Sequence, residues 1–132
     1  MTAITLAFNY PMQVSAKRCA YFEGVAHIEL SKPLPAKDKD LGWWLIPTHR
    51  PIRWSIGHIE MSGLRGLSPD VRDIERFIRG RFTSRIEQML YAAELRNAGH
   101  PEYAAVFDRL AEHQITKENG PIKWLRSLIG AA

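Results

Sequence analysis

Two short segments, Ala26-His27-Ile28-Glu29-Leu30-Ser31 and Gly57-His58-Ile59-Glu60-Met61-Ser62, each set an imidazole and a carboxylate two residues apart. Side chains two apart on a strand project to one face, so each copy presents a His beside a Glu. If the two strands pair antiparallel with Ile28 opposite Ile59, His27 faces Glu60 and Glu29 faces His58. Two imidazoles and two carboxylates on one face could bind a divalent transition metal or act in general acid–base catalysis. That is the basis for reading the chain as a hydrolase using His27, Glu29, His58 and Glu60. The His-x-Glu spacing matches no zinc signature. Cross-strand charged pairs, worth about 0.2–1 kcal/mol each, account for the same residues as a device that locks two strands together. On this reading the quartet builds the scaffold, and neither a metal nor a cofactor is expected.

A second constellation is basic. Arg65, Arg72, Arg76, Arg79, Arg81 and Arg85 fall within twenty-one positions. On a helix, Arg72, Arg76 and Arg79 are neighbours at i, i+4 and i+7, and Arg81 and Arg85 are also i, i+4. Guanidiniums in such a row can grip phosphates or carboxylates through paired N–H donors. Asp70, Asp73 and Glu75 lie among them and offset part of the charge. A solvated helix face is the plainer account of the same pattern.

Aromatic residues form a third set. In the register above, Tyr21, Val25, Trp54 and Ile56 share the face of the His/Glu quartet. Helices covering that face would be the ordinary outcome. An open face would instead offer a recognition surface. Trp43, Trp44, Trp54 and Trp124 are candidates for anchoring a protein interface, since Trp and Arg are favoured there. His49-Arg50 between two prolines reads as a plain turn, and Cys19 as a structural thiol.

These groups must be positioned by strands in the first half and helices in the second. Ile4 to Phe8 predicts a short strand stopped by Asn9-Tyr10-Pro11. Lys17 to Leu30 predicts a longer one, with Ala20, Phe22, Ala26, Ile28 and Leu30 on one side and a bulge or close backbone approach at Gly24. The stretch 32–40, charged and broken by prolines, predicts a loop. Trp43-Trp44-Leu45-Ile46 and Ile52 to Met61 complete an antiparallel sheet of three or four strands. Residues 62–67 read as a linker. Ser68-Pro69-Asp70 signals a helix start with Ser68 as N-cap. Val71, Ile74, Ile78 and Phe82 then fall on one face, followed by Ile86, Met89, Leu90 and Ala93, with Gly80 either bending or dividing the helix. Asn97-Ala98-Gly99 ends it. Pro101 begins another with Tyr103, Val106, Phe107 and Leu110 as its core face, and Asn119-Gly120-Pro121 predicts a further break. Strands followed by helices argue for an α+β fold: an N-terminal antiparallel sheet with C-terminal helices packed on one face. We read one domain over 1–132, strand-rich in 1–63 and helical in 68–130.

Composition sets the outer bounds. With 45% hydrophobic and 24% charged residues the chain is an ordinary globular protein, not a disordered one. A single Cys excludes an intrachain disulfide and a Cys-based zinc knuckle, which favours the cytoplasm. No leader pattern and no membrane-length apolar run is visible. There is no phosphate-binding glycine loop and no Gly-x-Ser-x-Gly elbow. A net charge of +4 favours an acidic partner. The sequence therefore points to a small basic protein without catalytic activity. It would dock its Arg-rich helical face onto an acidic macromolecule, either nucleic acid or a protein that handles nucleic acid, as a regulator or inhibitor. The sequence leaves the oligomeric state open.

Overall fold

The computed structural model describes residues 2–15, 18–32, 52–65 and 70–130. Three antiparallel strands, β1 (Ala3–Ser15), β2 (Arg18–Leu30) and β3 (Trp54–Arg65), form a sheet in the order β1-β2-β3. Two helices follow, α1 (Val71–Asn97) and α2 (Pro101–Gly130), giving the expected α+β arrangement. The expected strand at 43–46, the loop at 33–40 and the His49-Arg50 turn lie outside the described residues, as do the side chains of Cys19 and Trp124.

Strand β2 alternates along its whole inner half: Phe22, Ala26, Ile28 and Leu30 are buried, while Tyr21, Glu23, Val25 and His27 are half-buried and Glu29 is exposed. β1 runs further than expected, through Asn9-Tyr10-Pro11 to Ser15, pairing Pro11 with Tyr21. Proline lacks an N–H for the ladder, but β1 borders only β2 among the described strands, and a border position tolerates it. β3 is also longer, absorbing Ser62-Gly63-Leu64-Arg65, which had read as a linker.

The β2–β3 register differs from the one expected. His27 lies opposite His58, Ala26 opposite Ile59 and Ile28 opposite Ile56, so Gly57 is an extra residue in β3. A second shift leaves Ser62 unmatched between the Gly24–Met61 and Glu23–Gly63 partners. The first bulge changes which residues face the core. Trp54 and Ile56, expected beside the His/Glu groups, turn instead to the opposite face, against Leu30 and Ile28. Magnitudes explain the choice. Burying a Trp of 150–250 Å² contributes roughly 4–6 kcal/mol, whereas the ion pairs of the straight register offer about 1 kcal/mol each at most. Gly24 meets the second bulge at close quarters: a Cβ there would sit 2.3 Å from the Glu60 carbonyl oxygen.

Asp70, not Ser68, caps α1, its carboxylate accepting from the Arg72 N–H at 3.5 Å. The helix passes Gly80 without a break. It ends in a pair of bonds, His100 N–H to Leu95 O and Gly99 N–H to Arg96 O, with Gly99 at φ 87°. That closure requires a left-handed residue and reverses the chain directly into α2. α2 then continues through the expected break at 119–121.

The helices cover the face of Leu6, Phe8, Phe22, Ala26, Ile28, Leu30 and Trp54, meeting it with Ile74, Ile78, Phe82, Ile86 and Leu90. Phe8, Tyr10, Phe22, Phe77 and Phe82 interlock there, with centroid separations of 4.0–6.1 Å. α2 buries Ala104, Phe107 and Ala111, whereas Val106 and Leu110, expected in the core, remain about half exposed. Small residues at that seam let the two helices approach, and Tyr91 stacks on Phe107 at 5.5 Å. The N-terminus is tied to the far end of α1, where the Thr2 hydroxyl donates to the Glu94 carboxylate and the Asn97 amide donates to Thr2.

Candidate functional site

The apolar stripe of α1 faces the sheet, so Arg72, Arg76 and Arg79 face outward and are exposed. A rise of 1.5 Å per residue spreads the three over about 10 Å. Arg76 keeps 81% of its side-chain surface accessible and approaches Asp73 only at 3.8 Å. Asp70 and Asp73 occupy the N-terminal end of the helix, where negative charge offsets the helix dipole. Arg79 differs from its neighbours. Its guanidinium carbon lies 4.3 Å from the centre of the Trp54 ring, a cation–π stack on a side chain that is itself buried. The stack restricts the rotamers of Arg79 while leaving it exposed. Arg53 and Lys32, both exposed, stand at the same end of the sheet, joined through the Ser31 N–H to Arg53 O bond of 2.9 Å.

Arg81 and Arg85, expected on the same outward ridge, turn the other way. Arg85 is buried: its Nη1 lies 3.4 Å from the Glu118 carboxylate and its Nη2 donates to the Ala7 carbonyl at 3.1 Å. Arg81 Nη2 donates to the Glu118 carbonyl at 2.5 Å. These two guanidiniums therefore tie α1 to α2 and to β1. Burial pushes the Glu118 carboxyl above the ordinary glutamate range, while Arg85 and Arg81 pull it back. Burial likewise lowers Arg85, with Glu118 opposing. Arg65 closes β3 opposite Tyr21, and its side chain is outside the described residues.

The His/Glu groups occupy the sheet face opposite the helices. That face was expected to be covered; among the described residues nothing packs over it, and Ala3, Thr5, Ala7, Glu29, Ser55, His58 and Glu60 are exposed. Beside the bulge, His27 and His58 lie as stacked rings 5.5 Å apart. Glu60 reaches both, at 3.6 Å from His27 Nε2 and 3.4 Å from His58 Nε2. The expected His27–Glu60 contact thus forms, but Glu29 stands opposite Ser55 and not His58. Among the described residues no group of three or more His, Cys, Asp or Glu side chains is arranged to hold a metal ion, and no helix is long and apolar enough to cross a membrane.

No protein family, characterised protein or solved structure is significantly similar to the chain.

Sequence reasoning named Arg85 and Trp54 but placed both on the wrong face, and it did not single out Glu118. Arg85 was the most legible of them, because it falls seven residues after Ile78 and three after Phe82, inside the apolar stripe. Trp54 was placed on the wrong face by the straight register, so its stack with Arg79 did not follow. Glu118, thirty-three residues after Arg85, carries no local signal that it supplies the buried counter-charge.

Proposed function

We propose that the protein is a non-enzymatic binding module that lays Arg72, Arg76 and Arg79 along the backbone of a nucleic acid. The observation that carries this reading is the Trp54-stacked Arg79 beside an accessible Arg76. A guanidinium already held in place loses less freedom on contact, so it binds a phosphate at lower entropic cost than a mobile one. The row spans about three base steps of a strand at 3.4 Å each. Arg53 and Lys32 extend the positive tract beyond the helix, and Arg81 and Arg85 support it from inside rather than touching the ligand. The +4 net charge agrees in sign.

The test is binding to random-sequence single- and double-stranded DNA and RNA over a range of salt. Affinity should fall steeply as salt rises, and Arg76→Ala with Arg79→Ala should weaken every nucleic acid alike. Salt-insensitive binding, or a double variant that binds as tightly as the native chain, refutes phosphate contact. Recovery of an acidic protein partner whose capture survives nuclease would move the same arginines onto a protein surface.

A further inference from the structure

Among the described strands β3 borders only β2, so along it the backbone N–H and C=O groups that point away from β2 are left without a ladder. The strand holds no proline and no lysine, the residues that most often block a further strand. Its extra residues at Gly57 and Ser62 confine regular backbone to His58-Ile59-Glu60-Met61. On that stretch His58 and Glu60 are exposed on the open face, while Ile59 and Met61 lie on the helix side, opposite Ala26 and Gly24. Met61 and, further along the same side, Leu64 keep 42% and 46% of their surface accessible, so the helices stop short of this margin. Large apolar side chains beside an unpaired edge mark a surface that associates.

The charge pattern selects the occupant. Opposed residues of an antiparallel pair project to one side, so two copies of this strand can meet about a twofold axis at any residue of the stretch. An axis at Glu60 opposes two carboxylates, and one at His58 opposes two imidazoles. An axis at Met61 sets Glu60 against Ser62. Only an axis at Ile59 places each His58 against the Glu60 of the other copy, twice over, with Ile59 on Ile59. Each Met61 then lies beside the Gly57 of the other copy, where even a Cβ would meet nothing nearer than 3.8 Å. We propose that the chain forms a twofold dimer through β3 in this register, a second copy continuing the sheet to six strands. Both helix layers lie on the same side of the joint sheet, and Met61 of each copy is covered. A ladder this short buries less than a standard interface, so the dimer is weak and depends on concentration. The seam is separate from the outward arginines of α1 and stands whether or not they contact nucleic acid.

The experiment is sedimentation equilibrium of the full chain from micromolar to millimolar concentration, where monomer should pass to dimer. His58→Glu sets carboxylate against carboxylate across the seam, and Glu60→Lys removes the carboxylate that receives His58. Each variant alone should dimerise about tenfold more weakly. An equimolar mixture of the two restores opposite charges at both contacts and should associate about as tightly as the native chain. Both positions are exposed, and amide spectra check that the variants fold. If either does not, isotope-filtered NOEs between labelled and unlabelled native copies decide, with Ile59-to-Ile59 contacts expected. A monomer at every concentration overturns the proposal and leaves that flank to another segment of this chain or to a different partner. A dimer that ignores both substitutions, a mixture no tighter than its components, or native copies without the Ile59 contact overturns it equally.

Discussion

His27 and His58 stand directly opposite one another on β2 and β3, rings stacked at 5.5 Å, with one glycine inserted beside them. Without Gly57, β3 would read Trp54-Ser55-Ile56-His58-Ile59-Glu60, an unbroken alternation of inward and outward residues. Deleting Gly57 should therefore leave His27 paired with His58 and Trp54 in the core. The expected cost is about 1 kcal/mol, the usual scale of a single change, as the local twist of the bulge is lost. Cross-strand NOEs between His27 and His58, with urea denaturation, check this. A variant in which Ile28 pairs with Ile59 would show that the bulge sets the register and does not merely accommodate it.

Two glycines should respond to alanine in opposite directions. At Gly24 the new methyl would overlap the Glu60 carbonyl oxygen at 2.3 Å and press on Phe8 at 3.0 Å. Backbone cannot move aside cheaply, so Gly24→Ala should destabilise by about 2 kcal/mol or more. Gly80 has nothing within 4 Å and lies inside an exposed helical stretch. Gly80→Ala should stabilise by about 0.5–1 kcal/mol. Chemical denaturation of both variants measures the contrast.

The Arg85–Glu118 pair should be asymmetric to mutation. Arg85→Ala strands a buried carboxylate and should cost about 3–5 kcal/mol. Glu118→Gln replaces the carboxylate by a neutral isostere. Because burial raises the folded-state pKa of Glu118 above its ordinary value of 4.5, the stability linked to this group is complete below pH 4.5. It is lost as pH climbs through the higher folded value. The native chain should thus match Glu118→Gln most closely in acid and fall behind it as pH rises. Denaturation of both proteins from pH 3 to pH 8 reads the difference, and a gap that narrows with rising pH contradicts the sign.

Arg79 should act through its stack as well as its charge. Arg79→Lys keeps the charge but loses the planar fit over Trp54. It should weaken nucleic-acid binding less than Arg79→Ala while leaving the salt slope nearly native. Arg76→Ala with Arg79→Ala should reduce that slope by about 2, one for each lost phosphate contact. Affinities measured across 50–300 mM salt separate the two effects.

The elements that were legible in the sequence are those specified by one segment alone. Phe22, Ala26, Ile28 and Leu30 state the face of β2 by their period of two, and Asn97-Ala98-Gly99 with Pro101 states the α1–α2 turn by backbone chemistry. What was not legible depends on two segments at once. A bulge at Gly57 exists only in relation to β2, and a straight register was the simplest inference from the His-x-Glu echo. The arginine row divided for a related reason: Arg72, Arg76 and Arg79 follow from helical spacing, and Arg85 falls inside the apolar stripe, but the group that receives Arg81 and Arg85, Glu118, arrives from another helix. The length of β1 was hidden by Pro11, whose effect differs between a central and a bordering strand.

That bordering strand has a consequence for how molecules of this chain can meet. Along β1, Pro11 has no proton to donate and the Ala7 carbonyl is already taken by Arg85. A foreign strand seeking to extend the sheet on that flank would find its ladder interrupted at both places. Fibrillar stacking through β1 is thereby discouraged by the same guanidinium that fastens the helices down.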